Sequence, residues 1–290
     1  MHLQARKEQL LKTQKTEFLK RQSGFCLGME RLLKNEDSLA QGIIEQLRGK
    51  KVALLGHPAS VVYTNQGMAH SMDALLASQE RLGFTVTAAF GPQHGMRGEV
   101  QDNMIETHDS FDQRWNIPVF SLYGSVRRPT EEMLKTFDVI LVDLQDVGTR
   151  IYTYLTTLLY VLEACAQSGK TVIVTDRPNP AGRPVEGSFL RHGYVSFVGA
   201  AEGIPMRHGM TLGEMGKWFV KRLGLQVEYS VVWMDNYRMD DPQGFGWPQQ
   251  DLCWVNPRPL DPMPKCIFHG ISNRWASLRL APNTAKAYPG

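Results

Sequence analysis

The residues of this chain best suited to chemistry lie in short runs punctuated by glycine and proline. His57 sits between Gly56 and Pro58. Gln93, His94, Arg97 and Glu99 belong to the run Gly91-Pro92-Gln93-His94-Gly95-Met96-Arg97-Gly98-Glu99. Tyr123 precedes Gly124. Asp143, Asp146 and Arg150 share an eight-residue stretch, with Tyr152 and Tyr154 just beyond it. Arg177 and Asn179 lie in Asp176-Arg177-Pro178-Asn179-Pro180, and His208 lies between Arg207 and Gly209. Carboxylates, amides, guanidinium groups and phenols suit a ligand rich in hydroxyls, because each hydroxyl needs both a donor and an acceptor. Several other chemistries are disfavoured. No G-x-G-x-x-G follows the first apolar run, and no G-x-x-x-x-G-K-[ST] occurs, so neither nucleotide-phosphate loop is present. No G-x-S-x-G elbow exposes a serine nucleophile. Cys26, Cys165, Cys253 and Cys266 are far apart, which argues against a zinc site or a disulfide framework. No metal or organic cofactor is expected.

Each of these residues also has a structural reading. His94 is either an acid, base or ligand contact, or a histidine holding its own turn. His57 before proline either faces a ligand or shapes the loop. Asp143 and Asp146 either meet sugar hydroxyls or pair with Arg150 and Arg177. Those arginines in turn either grip a ligand carboxylate through two parallel hydrogen bonds or form buried ion pairs. Asn179 is a ligand contact or a turn residue. Of Tyr152 and Tyr154, one must face the core, and Tyr152 is the better candidate for the site. Glu214 stands three residues after Thr211 and reads as the partner in a helix capping box.

The elements that must position these residues alternate. Ser38, at capping-box spacing from Gln41, begins a helix with Ile43, Ile44 and Leu47 on one face, closed by Gly49. Lys51–Gly56 is a short, almost wholly apolar strand. A helix is expected over about 66–82 and strands at Val86–Phe90 and Pro118–Tyr123. A short helix should start at Thr130 and a strand at Val139–Asp143. A buried helix spans Tyr152–Ser168, followed by a strand at Thr171–Thr175, a helix capped by Thr211 and a β-rich run over Gln226–Met234. Near-continuous apolar strands alternating with helices imply a mostly parallel, doubly wound α/β sheet with helices on both faces. In such sheets ligands bind at the carboxyl ends of the strands, which is where the polar runs fall.

Charge is unevenly spread. Residues 1–22 hold six basic and two acidic residues, a surplus of +4, so the remaining chain is close to −1 of the total +3. A nucleic-acid binder should carry its basic surface on the folded domain, so no nucleic-acid partner is expected. No apolar run reaches membrane-spanning length. No apolar stretch follows the basic arm as in a signal peptide, so cytoplasmic residence is expected. Residues 240–290 hold eight prolines and no clean periodicity, with Trp247, Trp254, Ile267, Phe268 and Trp275 among them.

The successive motifs FGPQHGMRGE (90–99), SLYGSVRRPT (121–130), VDLQDVGTRIYTY (142–154), DRPNP (176–180), VEGS (185–188), SFVG (196–199) and IPMRHGMTLGE (204–214) resemble those of the exo-β-N-acetylmuramidase family. The resemblance runs from about Gly28 to Trp254. It implies a Rossmann-like domain over 28–200 after a basic arm at 1–27, with a C-terminal domain beginning at 201–290 and the site in the cleft between them. It implies a small-molecule sugar substrate: N-acetylmuramic acid removed from the non-reducing end of a peptidoglycan fragment. In that family Glu commonly occupies the place of Gln93, as the expected catalytic carboxylate. An amide cannot act as the general acid that glycoside hydrolysis uses, which leaves nearby Glu99 as an alternative acid. A 2-acetamido sugar can also supply its own nucleophile. The resemblance thus places Gln93, His94, Glu99 and Asp146 at the chemistry. His57, Arg97, Tyr123, Asp143, Arg150, Tyr152, Arg177, Asn179 and His208 fall around the sugar. WVNP (254–257) resembles the start of the family's next motif but continues differently, so the second domain is expected to be incomplete.

Overall fold

The computed structural model describes residues 24–65, 67–96, 106–239 and 252. Its order of elements is α1 (Gly28–Lys34), α2 (Ser38–Leu47), β1 (Lys51–Gly56), β2 (Val61–Thr64), β3 (Gly67–His70), α3 (Ser71–Leu82), β4 (Thr85–Gly91), β5 (Ser110–Asp112), β6 (Ile117–Ser121), α4 (Glu131–Leu134), β7 (Val139–Asp143), α5 (Tyr154–Ser168), β8 (Thr171–Thr175), β9 (Glu186–Phe189), β10 (Pro205–Arg207), α6 (Leu212–Leu223) and β11 (Tyr229–Val232).

A seven-stranded sheet, ordered β11-β8-β7-β1-β4-β6-β5, forms the centre. All neighbours are parallel except the edge pair β5–β6. The chain steps outward from β1 through β4 to β6, then returns to β7 on the other side and steps outward again through β8 to β11. The direction reverses between β1 and β7, and at such a reversal the loops leaving the strands part and open a crevice. The β1–β7 register sets Gly56 opposite Asp143, so the two loops leave the sheet side by side.

Strand alternation sends side chains to two cores. Leu55, Ile140, Val142, Val172 and Val174 meet α4, α5 and α6 on one face. Val52, Leu54, Val139, Leu141 and Ile173 meet α1, α2 and α3 on the other. β4 changes parity midway: Val86 lies in the second core but Ala88 and Phe90 in the first, because a bulge between the pairs Val52–Val86 and Ala53–Ala88 inserts Thr87. The N-terminal segment returns to the late strands. Cys26 and Asp235 exchange backbone hydrogen bonds of 3.1 and 2.9 Å, Gly28 N donates to Asp176 O, and Arg31 donates to Trp233 O. A Cβ at Gly28 would overlap Val232 O and Asp176 N, so only glycine admits this approach.

The strands β1, β7 and β8 and the Gly169 end of α5 lie where the sequence places them. Elsewhere local chemistry shifts the boundaries. The helix expected over 66–82 begins at Ser71, because residues 61–70 form the hairpin β2–β3 and the His70 ring caps the helix by accepting from Met72 N. Asp37, one residue before Ser38, caps α2 through Leu39 N and Ala40 N. No periodicity marks β5, β9 or β10. The first is three residues long, and β9 is exposed throughout. The domain boundary expected at residue 200 does not divide the sheet. α6 and β11 lie beyond it, and β11 pairs with β8 from Tyr229–Val172 to Val232–Thr175. The arm through residue 23 and, apart from Leu252, the tail from 240 lie outside the described residues, so of the expected second domain only residues 201–239 and Leu252 are described.

Candidate active site

His57 is fully buried at the reversal. Gln145 N donates to its Nε2 at 2.8 Å, so the ring proton sits on Nδ1 and faces Tyr154 Oη at 3.2 Å. The Tyr154 ring lies edge-on to His57 at 4.9 Å and to Tyr152 at 4.6 Å. Burial pushes the Tyr154 phenol well above the usual tyrosine pKa, and Tyr152 and Asp146 push it the same way. Tyr154 is the core tyrosine of the pair, and Tyr152 is half-buried. The β4 loop joins this cluster where Thr153 Oγ1 donates to Gln93 Oε1 at 2.9 Å. His94 is buried beside it at φ 75°, a left-handed conformation that non-glycine residues seldom adopt.

The two aspartates leaving β7 have different surroundings. Asp143 is saturated. Its Oδ1 accepts from Arg177 Nε at 2.6 Å and Thr175 Oγ1 at 3.2 Å. Its Oδ2 accepts from Arg177 Nη2 at 2.9 Å and from Ser71 Oγ. Asp146 is held on one side only. Its Oδ2 takes Gly148 N at 2.7 Å and His208 Nε2 at 3.2 Å, while Oδ1 is enclosed and has no donor among the described residues. Met210 N donates to His208 Nδ1 at 3.3 Å, which leaves the ring proton on Nε2, directed at Asp146.

Several residues expected around a ligand instead hold backbone. Arg177, 4% exposed, is paired with Asp143 and also donates to Val61 O, so its guanidinium is not offered to a ligand carboxylate. Arg150 Nη1 donates to Ser188 O and Ile204 O and thereby fixes the β9–β10 hairpin. Asn179 donates to Met210 O and accepts from Ala181 N, a turn role that also steadies the loop carrying His208. Glu214 completes the α6 capping box with Thr211. Tyr123 stands apart from the polar cluster, its ring covered by the Arg127 guanidinium at 4.0 Å and beside Phe197. A cleft of about 260 Å³ lies near it, along β5 and the ends of β4 and β6, lined by Gly91, Met96, Thr107 and Ser121. Neither His57 nor Asp146 lines this cleft, and the chemistry-bearing groups lie in their cluster. Arg97 and Glu99 lie outside the described residues. Among the described residues, no group of three or more His, Cys, Asp or Glu side chains is arranged to hold a metal ion, and no helix is long and apolar enough to cross a membrane.

One functional group had no separate signal in the sequence. Asp176 is fully buried at the end of β8, accepting from Gly213 N at 2.9 Å at the start of α6. Burial pushes its carboxyl up to about 7, against the pull of Gly213 N and Thr211, with Glu214 raising it further. The unfolded carboxyl titrates near 3.8. Between that value and about 7 the folded chain keeps a proton that the unfolded chain releases, so stability falls as pH rises through this window and levels above it. The slope approaches roughly tenfold in the folding constant per pH unit. Urea titrations from pH 4 to 8 should show Asp176→Asn gaining on the parent across the window and holding level above it. A difference independent of pH would refute this assignment.

A parallel sheet whose order reverses beside its first strand, with a polar cluster at the reversal instead of a glycine-rich phosphate loop, defines a Rossmann-like α/β domain. Residues 52–265 match the family model described as the N-terminal part of the exo-β-N-acetylmuramidase NamZ, and the chain belongs to that family. It is 40% identical over 203 residues to the peptidoglycan β-N-acetylmuramidase NamZ of Bacillus subtilis (strain 168), covering 70% of this chain and 47% of that protein. The chain thus spans about half the length of this curated relative. Two crystal structures of DUF1343 family proteins from Bacteroides fragilis share the fold. One has a TM-score of 0.67 at 32% identity, covering 84% of this chain and 57% of the other. The second has a TM-score of 0.61 at 29% identity, covering 79% and 57%.

Proposed function

We propose that this chain is a hydrolase that removes N-acetylmuramic acid from the non-reducing end of peptidoglycan fragments. The observation that carries this reading is the half-held carboxyl of Asp146, set at the strand reversal with His208 behind it and Gln93 brought near through Thr153. A carboxyl whose second oxygen awaits a donor suits a polar ligand, and family membership supplies the sugar. His57, Tyr152 and Tyr154 form the polar wall of the site. The reaction requires proton delivery to the leaving oxygen, for which the sequence offers Glu99 as the alternative acid to position 93.

A second reading is favoured by one specific observation, the amide at position 93. On this reading the chain binds the carbohydrate without cleaving it. Release of chromophore from a β-N-acetylmuramic acid glycoside, measured alongside calorimetric binding of the free sugar and repeated with a chelator, separates the readings. Turnover indifferent to chelator supports the hydrolase. Binding without turnover supports the second reading, and the absence of both refutes the two together.

A further inference from the structure

The contrast between Asp143 and Asp146 carries a more specific assignment. The two donors that reach Asp146, Gly148 N and His208 Nε2, both point at Oδ2. What remains is one acceptor oxygen, Asp146 Oδ1, in a side chain 95% buried. Buried polar atoms in folded proteins are almost always satisfied, so this oxygen marks where an incoming donor belongs. A sugar hydroxyl would satisfy Oδ1 but bring lone pairs that find no donor there. An ammonium would bring three donors to one acceptor. An amide N–H brings one donor and nothing else.

We propose that Asp146 Oδ1 accepts the N–H of a 2-acetamido group on the bound sugar, and that His208 is the residue positioning it; the proposal rests on the sugar reading above. In a trans amide the N–H and C=O point in opposite directions. Anchoring the N–H therefore fixes where the acetamido carbonyl oxygen lies relative to the ring. Oδ1 is enclosed, so the side chains around it shift as the ligand enters, a rearrangement common at binding surfaces. His208 acts indirectly. Its Nε2–H, set by the Met210 N–H on Nδ1, holds Oδ2 and so turns Oδ1 toward the ligand.

The test is calorimetric titration of the full chain with three methyl β-glycosides of muramic acid, bearing acetamido, free amino or hydroxyl at C2. The acetamido sugar should bind about 10- to 100-fold more tightly than the hydroxyl sugar, the cost of burying hydroxyl lone pairs that meet no donor. In Asp146→Asn the amide oxygen stays with Gly148 N and His208, which puts an NH₂ donor where Oδ1 was, so the preference should vanish or invert. His208→Phe should erode the preference, and His208→Gln, which restores an N–H at a similar reach, should recover it. A preference ratio, unlike overall affinity, does not move with a general loss of fold. Equal binding of the acetamido and hydroxyl sugars by the parent overturns the proposal, as does tighter binding of the amino sugar. Should Asp146→Asn not fold, the three sugars on the parent still decide. If none of the three binds and the chromogenic glycoside is not cleaved, the sugar reading itself falls.

Discussion

Gln93→Glu is expected to raise turnover of a chromogenic N-acetylmuramic acid glycoside by about 10²–10⁴-fold, the usual worth of a positioned general acid. The substitution is nearly isosteric. Thr153 Oγ1 donates to Gln93 Oε1 at 2.9 Å, and a carboxyl oxygen accepts the same bond, so no donor is orphaned. Gln93 is half-buried, which leaves the new acid reachable by a ligand. Initial rates across pH would show the gain, with an alkaline limb where the new carboxyl loses the proton it must donate. A variant as slow as the parent but unchanged in sugar affinity would mean that position 93 is not where the proton comes from, and would favour binding without cleavage.

Asp143→Ala should lower unfolding free energy by about 3–5 kcal/mol, the cost of leaving one partner of a buried ion pair uncompensated. The stranded group is the Arg177 guanidinium, 4% exposed, and the Ser71 hydroxyl loses its acceptor with it, whereas Thr175 keeps Val142 O. Urea denaturation gives the number. Replacing both partners by Leu should cost less than Asp143→Ala alone, because no unpaired charge then remains. A loss below about 1 kcal/mol for Asp143→Ala would return Asp143 and Arg177 to the pool of ligand contacts. The same experiment separates two roles for Arg177: a ligand contact loses affinity when replaced, whereas a structural pair loses stability.

The sheet was legible in the sequence because parallel strands are buried on both faces and read as apolar runs; Val139–Asp143 and Thr171–Thr175 match residue for residue. The gathering of polar loops at one edge followed from that topology. Hydrogen-bond direction was not legible. Asp143 and Asp146 are both aspartates at the end of one strand, and only the side chains that reach them from β8, α3 and the His208 loop make one saturated and the other half-held. Arg150 and Arg177 illustrate the same limit, since their carbonyl partners lie more than 35 residues away in sequence. Asp176 reads as one more loop aspartate until the packing of α6 and β11 seals it.

The docking of residues 26–31 against residues 233–235 fixes an order of events while the chain is being made. Leu27, Met29 and Leu32 emerge among the first described residues, yet α1 packs on β8 and β11, and Asp235 emerges 208 positions after Leu27. At roughly 5–20 residues per second that gap is about 10–40 s. Throughout it these three side chains, each fully buried in the finished fold, have at most α2, α3, β2 and later β8 to pack against and lack the cover of β11. The docking of the first described helix onto β11 is thus among the last contacts to form, and any stall in translation before residue 235 lengthens the time that part of its apolar face is on offer to other chains.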